Sequence, residues 1–199
     1  MALKTPKHHA LIAIAFAAAL TASASARPFD EVSNKSAENP LASYQSVYIA
    51  PVQVDLGDDV RRDIRDLRSP RPVTEIDQGR RAERLQRDLT RAFDKKFTLA
   101  EAPGEGILTV EATLTGLRST RPTLAELDVN SQTDFGNSIY AGGADYAVRL
   151  IEEDDVLVEI EERDQTFLND GRPRIGLWQD ADRSSRRFSS RLARYVKNN

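Results

Sequence analysis

Cysteine is absent from the 199 residues, and the two histidines and the single methionine all fall within the first nine. Without cysteine the chain forms no disulfide, has no thiol nucleophile and offers no thiol for a lipid anchor. Beyond residue 9 there is no imidazole either, so neither a Ser-His-Asp nor a Cys-His arrangement can be assembled there. Zinc, haem and copper sites draw mainly on His, Cys or Met and are disfavoured on the same ground. Long apolar runs are scarce. The longest, residues 11–20 (LIAIAFAAAL), is about half the ~20 residues needed to cross a ~30 Å hydrocarbon core. No phosphate-cradling glycine loop is present, because Gly142-Gly143 opens a strand pattern and not a helix.

What remains is an ordinary globular mix, with 40% hydrophobic and 30% charged residues, enough apolar material for one core. The N-terminus has a different make-up. Lys4 and Lys7 precede the apolar run, and Ala24-Ser25-Ala26 supplies a small-x-small pattern. That three-part layout is a secretory signal, with cleavage expected after Ala26. The expected organisation is a signal at 1–26, an extended polar arm at 27–42 and a single domain at 43–197. The mature chain is expected to be periplasmic or secreted, with no lipid anchor and no membrane span once the signal is removed.

The whole chain carries a net charge of −3, unevenly spread. Residues 58–96 hold 12 basic against 9 acidic groups, residues 97–170 hold 4 against 16, and residues 171–199 hold 8 against 2. A net-acidic chain is a poor nucleic-acid binder, because phosphate attraction dominates that affinity. Local basic surfaces remain available.

Periodicity gives the elements. Residues 46–54 (SVYIAPVQV) read as a first, mostly apolar strand with a bulge or edge-facing position at Pro51. Residues 55–73 read as a loop, with one helical turn around 59–68. Thr74, with Asp77 three residues on, caps a helix running to about 97. Its apolar face holds Ala82, Leu85, Leu89, Ala92 and Phe93, and Arg80, Arg84, Arg87 and Arg91 gather opposite. A short extra strand is expected at 98–101. Residues 107–117 alternate as a half-exposed strand. Residues 143–151 and 156–167 form a hairpin across the acidic turn Glu152-Glu153-Asp154-Asp155. A last helix covers about 179–196. Ala181, Ser185, Phe188, Leu192 and Tyr195 share one face, with Arg183, Arg187, Arg191 and Arg194 opposite. The order β-α-β-β-β-α predicts an α+β two-layer sandwich, a mainly antiparallel sheet with both helices on one face.

Four motifs occur in order: Tyr44-Gln45-Ser46-Val47-Tyr48-Ile49-Ala50-Pro51-Val52, Ala102-Pro103-Gly104-Glu105-Gly106-Ile107-Leu108, Gly142-Gly143-Ala144 and Trp178-Gln179-Asp180-Ala181. Over residues 41–196 the chain resembles a domain of unknown function found in small exported proteins and lipoproteins of proteobacteria. The resemblance implies an envelope location and a compact α+β domain, and it brings no catalytic residues. The chain departs from that pattern in lacking a lipobox cysteine and in its acidic 152–155 turn.

The acidic turn could offer oxygen ligands to Ca²⁺ but lacks the spaced loop pattern of a calcium site, and it reads as a solvated hairpin tip. Many carboxylates are present, yet nothing singles out two for glycosidic hydrolysis. Lys35, Lys95, Lys96 and Lys197 lie in charged or terminal contexts unsuited to a Ser-Lys pair. The two arginine ridges are the sharper feature, since guanidinium suits bidentate contact with carboxylate or phosphate. They read either as a docking surface for an acidic envelope protein or anionic polymer, or as solvated helix faces. Residues 118–141 lack a clear period and could line a binding edge with Arg121, Asp128, Asn130, Asp134, Phe135 and Tyr140. Trp178 reads as a core anchor. The expected function is a non-enzymatic, cofactor-free envelope accessory or protein-interaction domain. The alternative is a small-ligand or lipid-binding protein using a cleft beside 118–141.

Overall fold

The computed structural model describes residues 29–35, 41–57, 73–119, 142–165 and 176–199. The signal at 1–26, the helical turn at 59–68, most of the 118–141 segment and the loop at 169–173 lie outside the described residues.

Helix α1 (Glu75–Asp94) begins where its capping box dictates. The Asp77 N–H donates to Thr74 Oγ1 at 3.1 Å, and the Thr74 N–H donates to Asp77 Oδ2 at 3.2 Å, so two otherwise orphaned donors are satisfied reciprocally. Leu85, Leu89 and Phe93 form its buried stripe. The helix stops at Asp94 because the Lys96 and Phe97 N–H groups both turn back to the Phe93 carbonyl, at 2.8 and 2.9 Å. Phe97 then enters the core and leads into a two-residue strand.

The described strands are β1 (Glu31–Asn34), β2 (Ser46–Ile49), β3 (Gln53–Val54), β4 (Thr98–Leu99), β5 (Ile107–Arg118), β6 (Gly143–Glu152) and β7 (Asp155–Gln165). They form one sheet in the order β1-β7-β6-β5-β2-β4, with β3 also paired to β5. The α+β class stands, and the sheet is mixed. The long ladders β5/β6 and β6/β7, and β1/β7, are antiparallel, whereas β2/β5, β3/β5 and β2/β4 are parallel. The reason lies in the connections. Glu153-Asp154 joins β6 to β7 as a tight turn, with Glu153 in the left-handed region at φ 51°, which forces antiparallel pairing. Between β2 and β5 the chain crosses over through α1, which permits parallel pairing.

The single strand expected at 46–54 is two short ones. Ile49 is opposite Val110 and Gln53 is opposite Thr113, so one extra residue is accommodated around Pro51, as a bulge requires. The Ala50 N–H still reaches the Val110 carbonyl at 3.0 Å, and the Val52 N–H is taken by Gln86 Oε1 of α1 at 2.9 Å. The stretch expected to be an extended arm over 27–42 is extended and docked at Glu31–Asn34, whereas its far end turns into a 3-10 helix at Leu41–Ser43 whose Leu41 is buried. β1 pairs Val32 with Ile160, and Phe29 is buried edge-on against Phe188 (5.8 Å between centroids) and Tyr195 (5.6 Å).

Helix α2 (Gln179–Asn198) lies beside α1 on the same face of the sheet. Phe188 stacks on Tyr146 with centroids 4.4 Å apart, and Leu192, Ala193 and Val196 are also fully buried. The seam between the helices is polar. Asp88 Oδ2 accepts from Ser185 Oγ and from Arg84 Nε, both at 3.0 Å, and Arg81 pairs with Asp182 at 2.5 Å. Trp178 supplies no side-chain cap to α2; its indole N–H donates to Asp77 Oδ1 at 3.1 Å. Asp77 therefore closes the start of α1 and anchors the start of α2, and Trp178 packs on the core as the sequence predicts.

Candidate docking groove along the second helix

Helix α2 carries two arginine rows at helical i, i+4 spacing. The inner row is Arg183, Arg187 and Arg191; the outer row is Arg186, Ser190 and Arg194. Together with Glu162 and Asp164 of β7 they line an open groove of about 780 Å³. The acidic wall follows from strand alternation. Val158 and Ile160 point into the core from β7, so Glu162 and Asp164 continue on the helix side past the end of the apolar stripe.

The inner row is occupied. Arg187 Nη2 bonds both oxygens of Asp164, at 3.0 and 2.9 Å. Arg191 donates to Glu162, a carboxylate that is only 6% exposed and also accepts the Asp30 N–H at 3.3 Å. The Arg191 guanidinium also lies 5.4 Å from the Phe29 ring centre, over its face. Arg183 lies 3.5 Å from Asp180, whose side chain is wholly buried. The outer row is open. Arg186 makes one long contact of 3.4 Å to the Asp182 carbonyl, and Arg194 is exposed with no carboxylate partner among the described residues. Five guanidinium groups face two carboxylates across the groove, a net positive lining.

The α1 row differs. Arg80 and Arg91 are exposed, Arg87 reaches Glu83 on its own helix at 3.7 Å, and Arg84 turns into the seam toward Asp88. The eight arginines singled out in the sequence thus do not form one surface: those of α2 line a groove beside β7, whereas Arg80, Arg87 and Arg91 lie along an outward face of α1 and Arg84 turns into the seam. Sequence reasoning missed Arg186, Ser190, Glu162 and Asp164. The i, i+4 row Arg186–Ser190–Arg194 was available as a signal; the two acidic residues were masked by the run Glu161-Glu162-Arg163-Asp164, which shows no alternation.

Arg118, at the start of the segment proposed as a binding edge, is clamped to Asp145 at 2.7 and 2.5 Å. The Asp145 side chain passes over Gly116, where an added Cβ would lie 2.3 Å from Asp145 Oδ2. Arg121, Asp128, Asn130, Asp134, Phe135 and Tyr140 lie outside the described residues. Where α1 and α2 meet the sheet, the space bounded by Arg81, Leu85, Leu117 and Tyr146 is only about 10 Å³, room for one water at most. Among the described residues no group of three or more His, Asp or Glu could hold a metal ion, the acidic hairpin tip included. Among them, too, no helix is long and apolar enough to cross a membrane. Burial pushes the phenols of Tyr146 and Tyr195 above the usual range, and burial with the neighbouring Glu152 carboxylate does so for Tyr44.

The fold and groove define a two-layer α+β domain with a cationic cleft beside its C-terminal helix. The chain belongs to the family described as Protein of unknown function (DUF3313), whose profile matches residues 10–189. Two solved structures are similar in outline, both of the PelC dodecamer from Paraburkholderia phytofirmans, one of them a point variant. The variant is 12% identical with a TM-score of 0.44, covering 82% of this chain and 96% of that one. The other is 12% identical with a TM-score of 0.43, covering 81% of this chain and 97% of that one. No curated protein matches the sequence.

Proposed function

We propose that the protein is an exported, non-enzymatic accessory domain of the cell envelope that docks an acidic partner protein and needs no cofactor. The observation that carries this reading is the α2 groove, where an outer pair of exposed arginines lies beside an inner row already holding carboxylates. The lysine-flanked apolar run and Ala24-Ser25-Ala26 support export with cleavage after Ala26. The lack of His and Cys after residue 9, and the burial or pairing of the groove carboxylates, support a binding role over catalysis. The alternative, a small-ligand or lipid-binding role, places its cleft beside 118–141, of which residues 120–141 lie outside the described residues.

Affinity capture from envelope extract tests the reading. The mature chain is expected to retain an acidic partner, and Arg186→Glu with Arg194→Glu is expected to release it. Arg80→Glu with Arg87→Glu on α1 is expected to leave capture unchanged. Equal capture by all three forms would remove the groove from consideration. Fractionation with N-terminal sequencing tests export, and an unprocessed cytosolic chain would overturn it.

A further inference from the structure

The geometry points to an extended acidic peptide, with carboxylates at alternate residues, as the occupant of the α2 groove. This rests on the docking role proposed above and specifies the shape and spacing of what docks.

The chain itself supplies the template. Glu162 and Asp164 stand two apart on the extended strand β7, and they meet Arg191 and Arg187, four apart on α2. Two strand residues rise about 6.6 Å and four helix residues rise about 6 Å, so the two spacings match. The strand carboxylates and helix arginines also run in opposite directions, since the higher-numbered acid meets the lower-numbered arginine. The outer row repeats this spacing. Arg186, Ser190 and Arg194 are separated by four residues each, so Arg186 and Arg194 stand about 12 Å apart along the axis. Four residues of extended chain cover about 13 Å.

A peptide laid along the groove antiparallel to α2 would therefore place one carboxylate at Arg194 and another, four residues on, at Arg186. The residue between them, two on, would lie opposite the Ser190 hydroxyl. Arginine favours such planar, two-oxygen contacts. The groove lining named here contains no aromatic ring to stack a sugar, which favours peptide over an acidic polysaccharide. A second consequence concerns Asp164. It is an internal occupant of Arg187, so it competes with any incoming carboxylate.

Fluorescence anisotropy on the full chain tests the inference with three probes. One is a labelled ten-residue peptide of four glutamates and six serines with Glu at every second residue; another has the same composition with Glu at every third residue, so that no two glutamates stand two or four apart; the third is an oligogalacturonate. The alternating peptide is expected to bind most tightly and to lose affinity as salt rises. Arg186→Ala with Arg194→Ala is expected to weaken it by about tenfold. Asp164→Asn is expected to tighten it by about threefold by freeing Arg187, and circular dichroism melting monitors its fold. Arg194→Ala alone, at an exposed position, gives an independent reading if Asp164→Asn unfolds. Equal binding of the peptide with Glu at every third residue, or preference for the oligogalacturonate, would overturn the inference while leaving a basic docking groove intact. Insensitivity of all three probes to the outer-row substitutions would overturn both.

Discussion

The two helices are each 20 residues long, amphipathic, and studded with arginine on the side away from the core, yet they meet different surroundings. Helix α1 has sheet beneath it and α2 to one side, so Arg84 and Arg87 find partners on α1 itself and Arg81 reaches only the neighbouring helix, at Asp182. Helix α2 has α1 on one flank and β7 on the other, so Arg187 and Arg191 bridge to a strand more than twenty residues away in sequence. Intrahelical i, i+4 pairs hold only their own helix and contribute about 0.3–0.5 kcal/mol each. Cross-element pairs such as Arg191–Glu162 fix the spacing between helix and strand. The teaching is that an arginine stripe gains a role from its neighbour, and helical spacing alone does not assign one.

The comparison breaks first at the core. Phe188 of α2 is fully buried between Tyr146 and Phe29, and Phe188→Ala is expected to cost about 3–5 kcal/mol in chemical denaturation. Leu89→Ala on α1 is expected to cost about 2–5 kcal/mol. A loss under about 1 kcal/mol at either position would mean that helix does not seal the sheet. Next comes the joint between helix starts. Asp77→Ala removes the cap partner of Thr74 and the acceptor of Trp178 together, and a loss of about 2–3 kcal/mol is expected. A matching blue-shift loss at Trp178 fluorescence would confirm that both helices respond; a change in melting without any in fluorescence would confine the effect to α1.

A smaller effect separates the helices by pH. Tyr146 donates to Ser184 of α2 at 2.9 Å, and burial holds its phenol neutral beyond the usual range near 10. The folded state therefore keeps a proton that the unfolded chain gives up, and this contribution is full below about pH 10 and lost as pH rises above it. Tyr146→Phe is expected to cost about 0.5–1.5 kcal/mol at neutral pH and to flatten the alkaline decline. An unchanged slope would remove Tyr146 as its source. Smallest of all are the surface arginines. Arg187→Ala and Arg87→Ala are both expected to cost under about 1 kcal/mol, with Arg187 the larger, because both side chains are well exposed. Thermal melts of the pair would show whether bridging to β7 adds anything over an intrahelical contact.

Much of this architecture is legible in the sequence where one pattern dominates. Thr74 with Asp77, the apolar spacing Leu85–Leu89–Phe93, and the alternation on both sides of Glu153-Asp154 place both helices and the hairpin nearly as observed. The extra residue at Pro51 is also foreseen. Strand β1 is not, because Glu31-Val32-Ser33-Asn34 is short, largely polar and at a sheet edge, where alternation carries little information. Strand direction is not either, since side-chain period is the same in parallel and antiparallel pairs; only the intervening α1 indicates the parallel crossover. The arginines were visible, but their acidic counterparts were not. Glu162 belongs to the buried face of β7 only because Val158 and Ile160 set the phase, and its own neighbours are charged on both sides.

Strand β1 closes one side of the sheet by pairing Val32 with Ile160, so the earliest described stretch must wait for nearly the last. The contact closes a long loop, so the ordering of β1 is rewarded only when β7 is in place. Four residue pairs, the buried Phe29 ring, the Asp30 bonds to Glu162 and Arg163 and the Lys35–Glu159 ion pair make up that contact. That one short strand therefore covers both the rim of β7 and the aromatic faces of Phe188 and Tyr195.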